Sequence, residues 1–140
     1  AGVPIAALLA TDADSCFEYG DQGGTFNGSP LMAAIGSAVV ETVARPEFLA
    51  EVTATGDCLA HRLRQFSAAL GHGEVRGRGL LLALQLNGLD ASKVVQSALD
   101  RGLLINAPRP DTLRFMPALN VTRTDIDRMR ELLEGVLREG

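Results

Sequence analysis

Val75-Arg-Gly-Arg-Gly-Leu-Leu-Leu-Ala-Leu-Gln-Leu86 is the stretch on which the fold turns, because the hydrophobic period changes there. Before it, Leu49, Val52, Gly56, Leu59, Leu63, Phe66 and Leu70 recur at steps of three and four, the spacing of one apolar stripe on a helix. Within it, an almost continuous apolar run bounded by glycines reads as a buried strand. A long helix feeding such a strand excludes an all-helical bundle. The stripe itself reads as core packing, and its three heptads are too few for a coiled coil. Gly56 inside it costs about 1 kcal/mol of helix propensity, which points to a close neighbour at that position. Gly71 is placed to cap the helix.

Downstream, Asp90 can cap a helix that turns Val94, Val95, Ala98 and Leu99 inward and ends at Gly102. Leu103–Asn106 reads as a short strand, and Thr112–Met116 as a half-buried one by its alternation. Thr122 and Asp125 form a capping-box-like start for a last helix with Ile126, Met129, Leu133, Val136 and Leu137 on its apolar face. The order after residue 46 is helix, strand, helix, strand, strand, helix. That is an α+β domain, a small sheet with helices on one face.

Upstream, residues 3–11 are apolar enough for one buried strand, with Pro4 at its start or at an edge. A loop rich in glycine, Tyr19–Gly28, follows. Ser29-Pro30 marks a helix start, with Met32, Ile35, Val39 and Val43 on one side until Arg45-Pro46 stops it. Residues 1–45 therefore stand apart from 46–140, as a strand, a loop and a linking helix belonging to a larger neighbour. The chain opens abruptly on Ala-Gly-Val-Pro, as a piece of a longer protein would.

The composition is that of an ordinary globular protein: 140 residues, 46% hydrophobic, 21% charged, net charge −4. No basic footprint for nucleic acid is present, and no basic run or apolar span for a membrane. Cys16 and Cys58 are too few for a disulfide framework and read as reduced thiols of a cytoplasmic protein. His61 and His72 make no metal cluster with them and read as surface or loop residues. Asp12, Asp14, Glu18 and Asp21 lack metal-loop spacing and read as solvated.

Three constellations could carry chemistry. The loop Gly20–Pro30 offers glycines that turn N–H groups outward, the Thr25 hydroxyl and a helix N-terminus, a cradle for phosphate or carboxylate or simply a structural turn. Arg114, between Leu113 and Phe115 and flanked by Pro108, Pro110 and Pro117, is mounted stiffly enough to grip a carboxylate bidentately, or to sit in a surface salt bridge. Strand alternation sends Arg76 and Arg78 to one face, toward solvent or a domain boundary. No nucleophile with a partnered base is visible.

Taken together, Gly2–Ala7, Gly20-Asp-Gln-Gly-Gly-Thr-Phe-Asn-Gly-Ser-Pro30 and Leu104-Ile-Asn-Ala-Pro-Arg-Pro-Asp-Thr-Leu-Arg-Phe-Met-Pro-Ala-Leu119 resemble the class III, fold type I aminotransferases that use pyridoxal 5'-phosphate (PLP). Within that class the text is most similar to acetylornithine aminotransferase, and the resemblance covers all 140 residues. It implies the end of the large PLP-binding domain in residues 1–45 and the C-terminal small domain in 46–140. It implies a homodimer with the active site at the interface, where Thr25 meets the PLP phosphate of the neighbouring subunit and Gly24 lies beside the substrate. Arg114 would bind the α-carboxylate of N-acetylornithine or of the acceptor 2-oxoglutarate. Asn27, Ser29, Ala118 and Ala6 depart from the family's usual residues, Asn27 being expected to keep the turn by tolerating left-handed angles. The family's Schiff-base lysine lies upstream of residue 1. Lys93, the only lysine, does not match it, so the expectation is a part of an arginine-synthesis enzyme that is inactive alone. Ornithine, succinylornithine or 4-aminobutyrate aminotransferase, and a non-enzymatic α+β binding module, are the alternatives.

Overall fold

The computed structural model describes residues 2–139. The chain divides into two compact units, residues 1–48 and 49–140.

In the first unit the only complete regular element among the described residues is α1, Pro30–Val43. Met32, Ile35, Val39 and Val43, the side expected to be apolar, are its half-buried positions together with Gly36. A Cβ on Gly36 would stand 3.2 Å from the Ile5 side chain, so the small residue admits that contact. Residues 3–11 form no strand, contrary to the expectation from their composition. A strand exists by pairing its N–H and C=O groups with a neighbour. No described residue offers this segment one, and Ile5, Leu8 and Leu9 are exposed.

The second unit is built on α2, Pro46–Leu70, with Pro46 opening the helix and Gly71, at φ +74°, closing it. The predicted stripe is largely the buried one: Gly56, Leu59, Leu63 and Phe66 are enclosed, Val52 and Leu70 half-buried, Leu49 exposed. The expected single strand over 75–86 is instead a hairpin, β1 Val75–Arg78 and β2 Leu81–Gln85, turning through Gly79 and Leu80. Glycines made the turn possible: Gly77 and Gly79 adopt φ of +129° and +55°. The apolar run is also only half-buried, since Leu82 and Leu84 face the core and Leu81 is exposed.

Asp90 caps α3, Ala91–Asp100, by accepting from the Ser92 N–H at 2.9 Å. The next strand is β3, Asn106–Arg109, three residues beyond the expected Leu103–Asn106. Pro108 within it has no N–H to give a sheet ladder. β3 is an edge strand with an irregular register between Asn106 and Arg109, where a missing N–H costs little. β4, Thr112–Phe115, completes an antiparallel sheet of order β1-β2-β4-β3, so β4 slots between the parallel β2 and β3 that α3 connects. α4, Arg123–Glu139, starts with a reciprocal box: the Thr122 N–H donates to Asp125 at 3.0 Å and the Asp125 N–H to Thr122 Oγ1 at 3.2 Å. One core joins Leu59, Leu63 and Phe66 of α2, Val94 and Ala98 of α3 and Ile126, Leu133 and Val136 of α4 to Leu82, Leu84, Leu113 and Phe115 of the sheet. No helix among the described residues is long and apolar enough to cross a membrane.

Candidate functional site

The Gly-rich loop lies in the first unit and is fully exposed. Its last turn is closed by Asn27 N–H donating to the Gly24 carbonyl at 3.1 Å and Ser29 N–H to that of Phe26 at 3.3 Å. Asn27 needs no left-handed angle, contrary to expectation. That conformation falls to Gly28, at φ +67°, and the Asn27 amide folds over Gly24 instead. A Cβ at Gly24 would stand 3.1 Å from Asn27 Oδ1, so a larger residue there would need the exposed Asn27 side chain to shift by a few tenths of an ångström. Thr25 is exposed, and no hydrogen bond engages its hydroxyl among the described residues. Ser29 occupies the N-cap of α1, where Ser29-Pro30 marked the helix start, yet its side chain makes no capping bond. The first-turn N–H groups of a helix are donors that a side chain, water or an anion must satisfy. An unengaged hydroxyl beside an uncapped helix start fits the phosphate of PLP.

Arg114 lies in the second unit, on β4, paired to Ala83 of β2 and Asn106 of β3. It is half-buried, and its Nε is enclosed without a partner. A buried, unpaired guanidinium N–H is costly, and an anion relieves the cost. Arg114 also lines a cavity of about 250 Å³ whose other walls include the apolar Leu104, Ile105, Met116 and Met129 and the acidic Asp125. Apolar walls strengthen any charge pair made beside them. Gly24 and Thr25 thus share one loop of the first unit, and Arg114 belongs to the sheet of the second.

The remaining sequence candidates place as follows. Asp12, Asp14, Glu18 and Asp21 are exposed, with Asp14 accepting from Thr11 Oγ1 at 2.6 Å and Asp21 from the Glu18 N–H at 2.8 Å. No group of His, Cys, Asp and Glu among the described residues could hold a metal. His61 is exposed on α2. His72 lies in the loop after Gly71 but is half-buried, with Nε2 enclosed and unpartnered, and burial holds its pKa below the ordinary 6.5. Lys93 is exposed on α3.

The family model for aminotransferase class III matches residues 1–137. Acetylornithine aminotransferase of Ralstonia nicotianae is 49% identical over 98% of this chain and 35% of its own length. That of Aquifex aeolicus is 38% identical over 97% of this chain and 35% of its own. The crystal structure of N-acetylornithine aminotransferase from Stenotrophomonas maltophilia superposes with a TM-score of 0.73 at 30% identity, covering 79% of this chain and 31% of that one. The chain thus spans about a third of the length of these relatives, and over that span it belongs to the class III aminotransferases, a PLP-dependent family.

Proposed function

We propose that this chain is the small-domain part, with the adjoining loop and helix, of a homodimeric cytoplasmic enzyme that moves an amino group from N-acetylornithine to 2-oxoglutarate in arginine synthesis. Relatedness to acetylornithine aminotransferases supports the choice of substrate. The observation that carries the reading is the enclosed, unpartnered Nε of Arg114. A guanidinium with an unpaired donor is built to accept the carboxylate shared by donor and acceptor substrates. In this reading Arg114 fixes that carboxylate bidentately while Leu104 and Met116 shed water from around it. Thr25 donates its hydroxyl to a phosphate oxygen of PLP in the neighbouring subunit, the α1 N-terminus adds N–H dipoles, and Gly24 lets the substrate approach the backbone. Bound PLP would supply the electron sink for amino transfer. The residues are read as residues 1–45 of the large domain and 46–140 of the small one. Lys93 is the sole lysine of the 140 residues and stands exposed on α3, so the chain by itself is read as inactive.

The test is kinetic. In the intact enzyme Arg114→Gln should lower kcat/KM for both N-acetylornithine and 2-oxoglutarate by about 100-fold, mostly through KM. An unchanged kcat/KM refutes the role of Arg114, and an intact enzyme without acetylornithine activity refutes the substrate. For the 140-residue chain, borohydride reduction in the presence of PLP should leave no stoichiometric adduct. A stoichiometric adduct at Lys93 that an amino donor discharges would make the chain an enzyme in its own right.

A further inference from the structure

The sequence holds two Asn-Gly pairs, Asn27-Gly28 and Asn87-Gly88. In such a pair no Cβ on the second residue bars its backbone nitrogen from the asparagine side-chain carbonyl carbon, and glycine takes up the angles that approach needs. Both pairs are exposed, and both glycines adopt left-handed angles, φ +67° and +77°. Their surroundings differ. Asn87 is tied at two points: Nδ2 donates to the Gly71 carbonyl at 2.9 Å, and the backbone N–H makes a longer bond to His72 Nδ1 at 3.5 Å. Next to it the Leu86 N–H donates to the Asp111 carbonyl at 2.6 Å, and Gly73 donates to Gln85 at 2.9 Å. Asn87 thus fastens the α2–β1 loop to the β2–α3 loop. The Asn27 amide makes no hydrogen bond among the described residues and lies against Gly24. Its exposed turn is held only by the bonds of Asn27 to Gly24 and Ser29 to Phe26.

We propose that Asn27 is a site of spontaneous deamidation, which turns its amide into a carboxylate, and that the fold shields Asn87 from the same reaction. The Gly28 nitrogen loses its proton and attacks Asn27 Cγ. The new bond closes a five-membered imide, and the side-chain nitrogen leaves as ammonia, carrying a proton with it. Water then adds to one of the two imide carbonyls and a proton returns to the Gly28 nitrogen or its equivalent. Opening at the side-chain carbonyl gives aspartate at position 27, and opening at the backbone carbonyl gives isoaspartate. The only co-reactant is water. At Asn87 the attack requires the side chain to leave Gly71 and the backbone to leave His72, which makes it about tenfold slower. The product at position 27 is unpaired in its own segment, because residues 1–44 contain no cation. Isoaspartate also lengthens the backbone inside the turn that leads into α1. On the reading of this loop as a phosphate cradle, on which this consequence alone rests, either product repels the phosphate.

The test incubates the 140-residue chain, shown by circular dichroism to be folded, at neutral pH in water enriched in heavy oxygen. Peptide mass spectrometry then follows both sites. The peptide containing Asn27 should take up heavy oxygen about tenfold faster than the one containing Asn87. In urea the two rates should converge. Asn27→Gln, whose longer side chain closes a ring less readily, should remove the signal at position 27 and leave that at Asn87. The proposal is overturned if the folded chain reacts equally fast at both sites, if Asn27 does not react, or if the difference persists in urea and so owes nothing to the fold. The consequence for phosphate fails separately. In the intact enzyme Asn27→Asp should raise the Kd for PLP about fivefold, and an unchanged Kd refutes that consequence while leaving the deamidation itself standing.

Discussion

Gly56→Ala sets two opposing effects against each other in the middle of α2. By propensity alone alanine should stabilise a helix interior by about 1 kcal/mol relative to glycine. The structure reverses the sign. A Cβ at Gly56 would lie 2.7 Å from the Gly79 carbonyl carbon, 2.8 Å from its oxygen and 2.9 Å from its Cα. Carbon contacts settle at about 3.5–4.0 Å, so the two segments must separate by close to 1 Å. The obstacle is the backbone of the β1–β2 turn and has no rotamer in which to yield. Forcing an extra methyl into a packed site costs about 1–3 kcal/mol, and a rigid neighbour puts this site at or beyond the upper end. After subtracting the propensity gain, the variant should be destabilised by about 2 kcal/mol, or roughly 10 °C in Tm for a domain of this size. Urea unfolding followed by circular dichroism measures it, with Ala54→Gly at an exposed position of the same helix reporting propensity alone. Native or higher stability in Gly56→Ala would refute the close approach of α2 to the hairpin.

Thr122→Ala should cost about 1 kcal/mol of stability through loss of the α4 cap, read as a shift in urea midpoint. The Thr122 hydroxyl, then the Thr122 N–H, hold the Asp125 carboxyl below its ordinary 3.8, so its contribution is present above that pH and lost as pH falls through the lower folded value. An NMR titration should show Asp125 returning toward 3.8 in the Thr122 variant. Burial depresses His72, so stability is full above pH 6.5 and declines as the pH drops toward the lowered folded pKa. His72→Gln should flatten unfolding curves over that range. Leu84→Ala, at a fully buried position of β2, should cost about 2–5 kcal/mol and broaden or abolish the thermal transition.

What the sequence disclosed was set by how local the signal is. The α2 stripe, the Asp90 cap and the Thr122–Asp125 box depend on residues within a few positions of each other, and each recurs in the structure. The hairpin was hidden because Leu80–Leu86 contains no polar turn residue. The usable signal was the glycine pair at 77 and 79, which a single buried strand would not need. β3 was displaced because Leu103–Ile105 is more apolar than Asn106–Arg109, whereas pairing to β4 decides which residues count as strand. Alternation around Leu113 and Phe115 singled out Arg114. The enclosure of its Nε, and the row it shares with Arg76, Ala83 and Asn106, follow from sheet register between distant segments, which no local pattern encodes.

The two candidate anion-binding elements are of different physical kinds, and charge composition explains the division. Residues 1–44 contain no lysine, arginine or histidine, while Asp12, Asp14, Glu18, Asp21 and Glu41 are acidic. A phosphate dianion approaching the Thr25 loop therefore finds no cation on that segment and a mildly repulsive field. Those carboxylates are exposed, and at physiological ionic strength their reach is about 8 Å. Any attraction there must be short-ranged and directional, from a hydroxyl, loop N–H groups and the helix N-terminus, which act at hydrogen-bond distance and vanish when geometry is lost. The sheet face is the opposite case, with four guanidinium groups, those of Arg76, Arg78, Arg109 and Arg114, whose charge reaches farther than a hydrogen bond. It follows that raising salt should weaken carboxylate binding at the sheet far more than phosphate binding at the loop. Thr25→Val should harm the loop at any ionic strength, and Arg78→Gln should matter at the sheet only when salt is low.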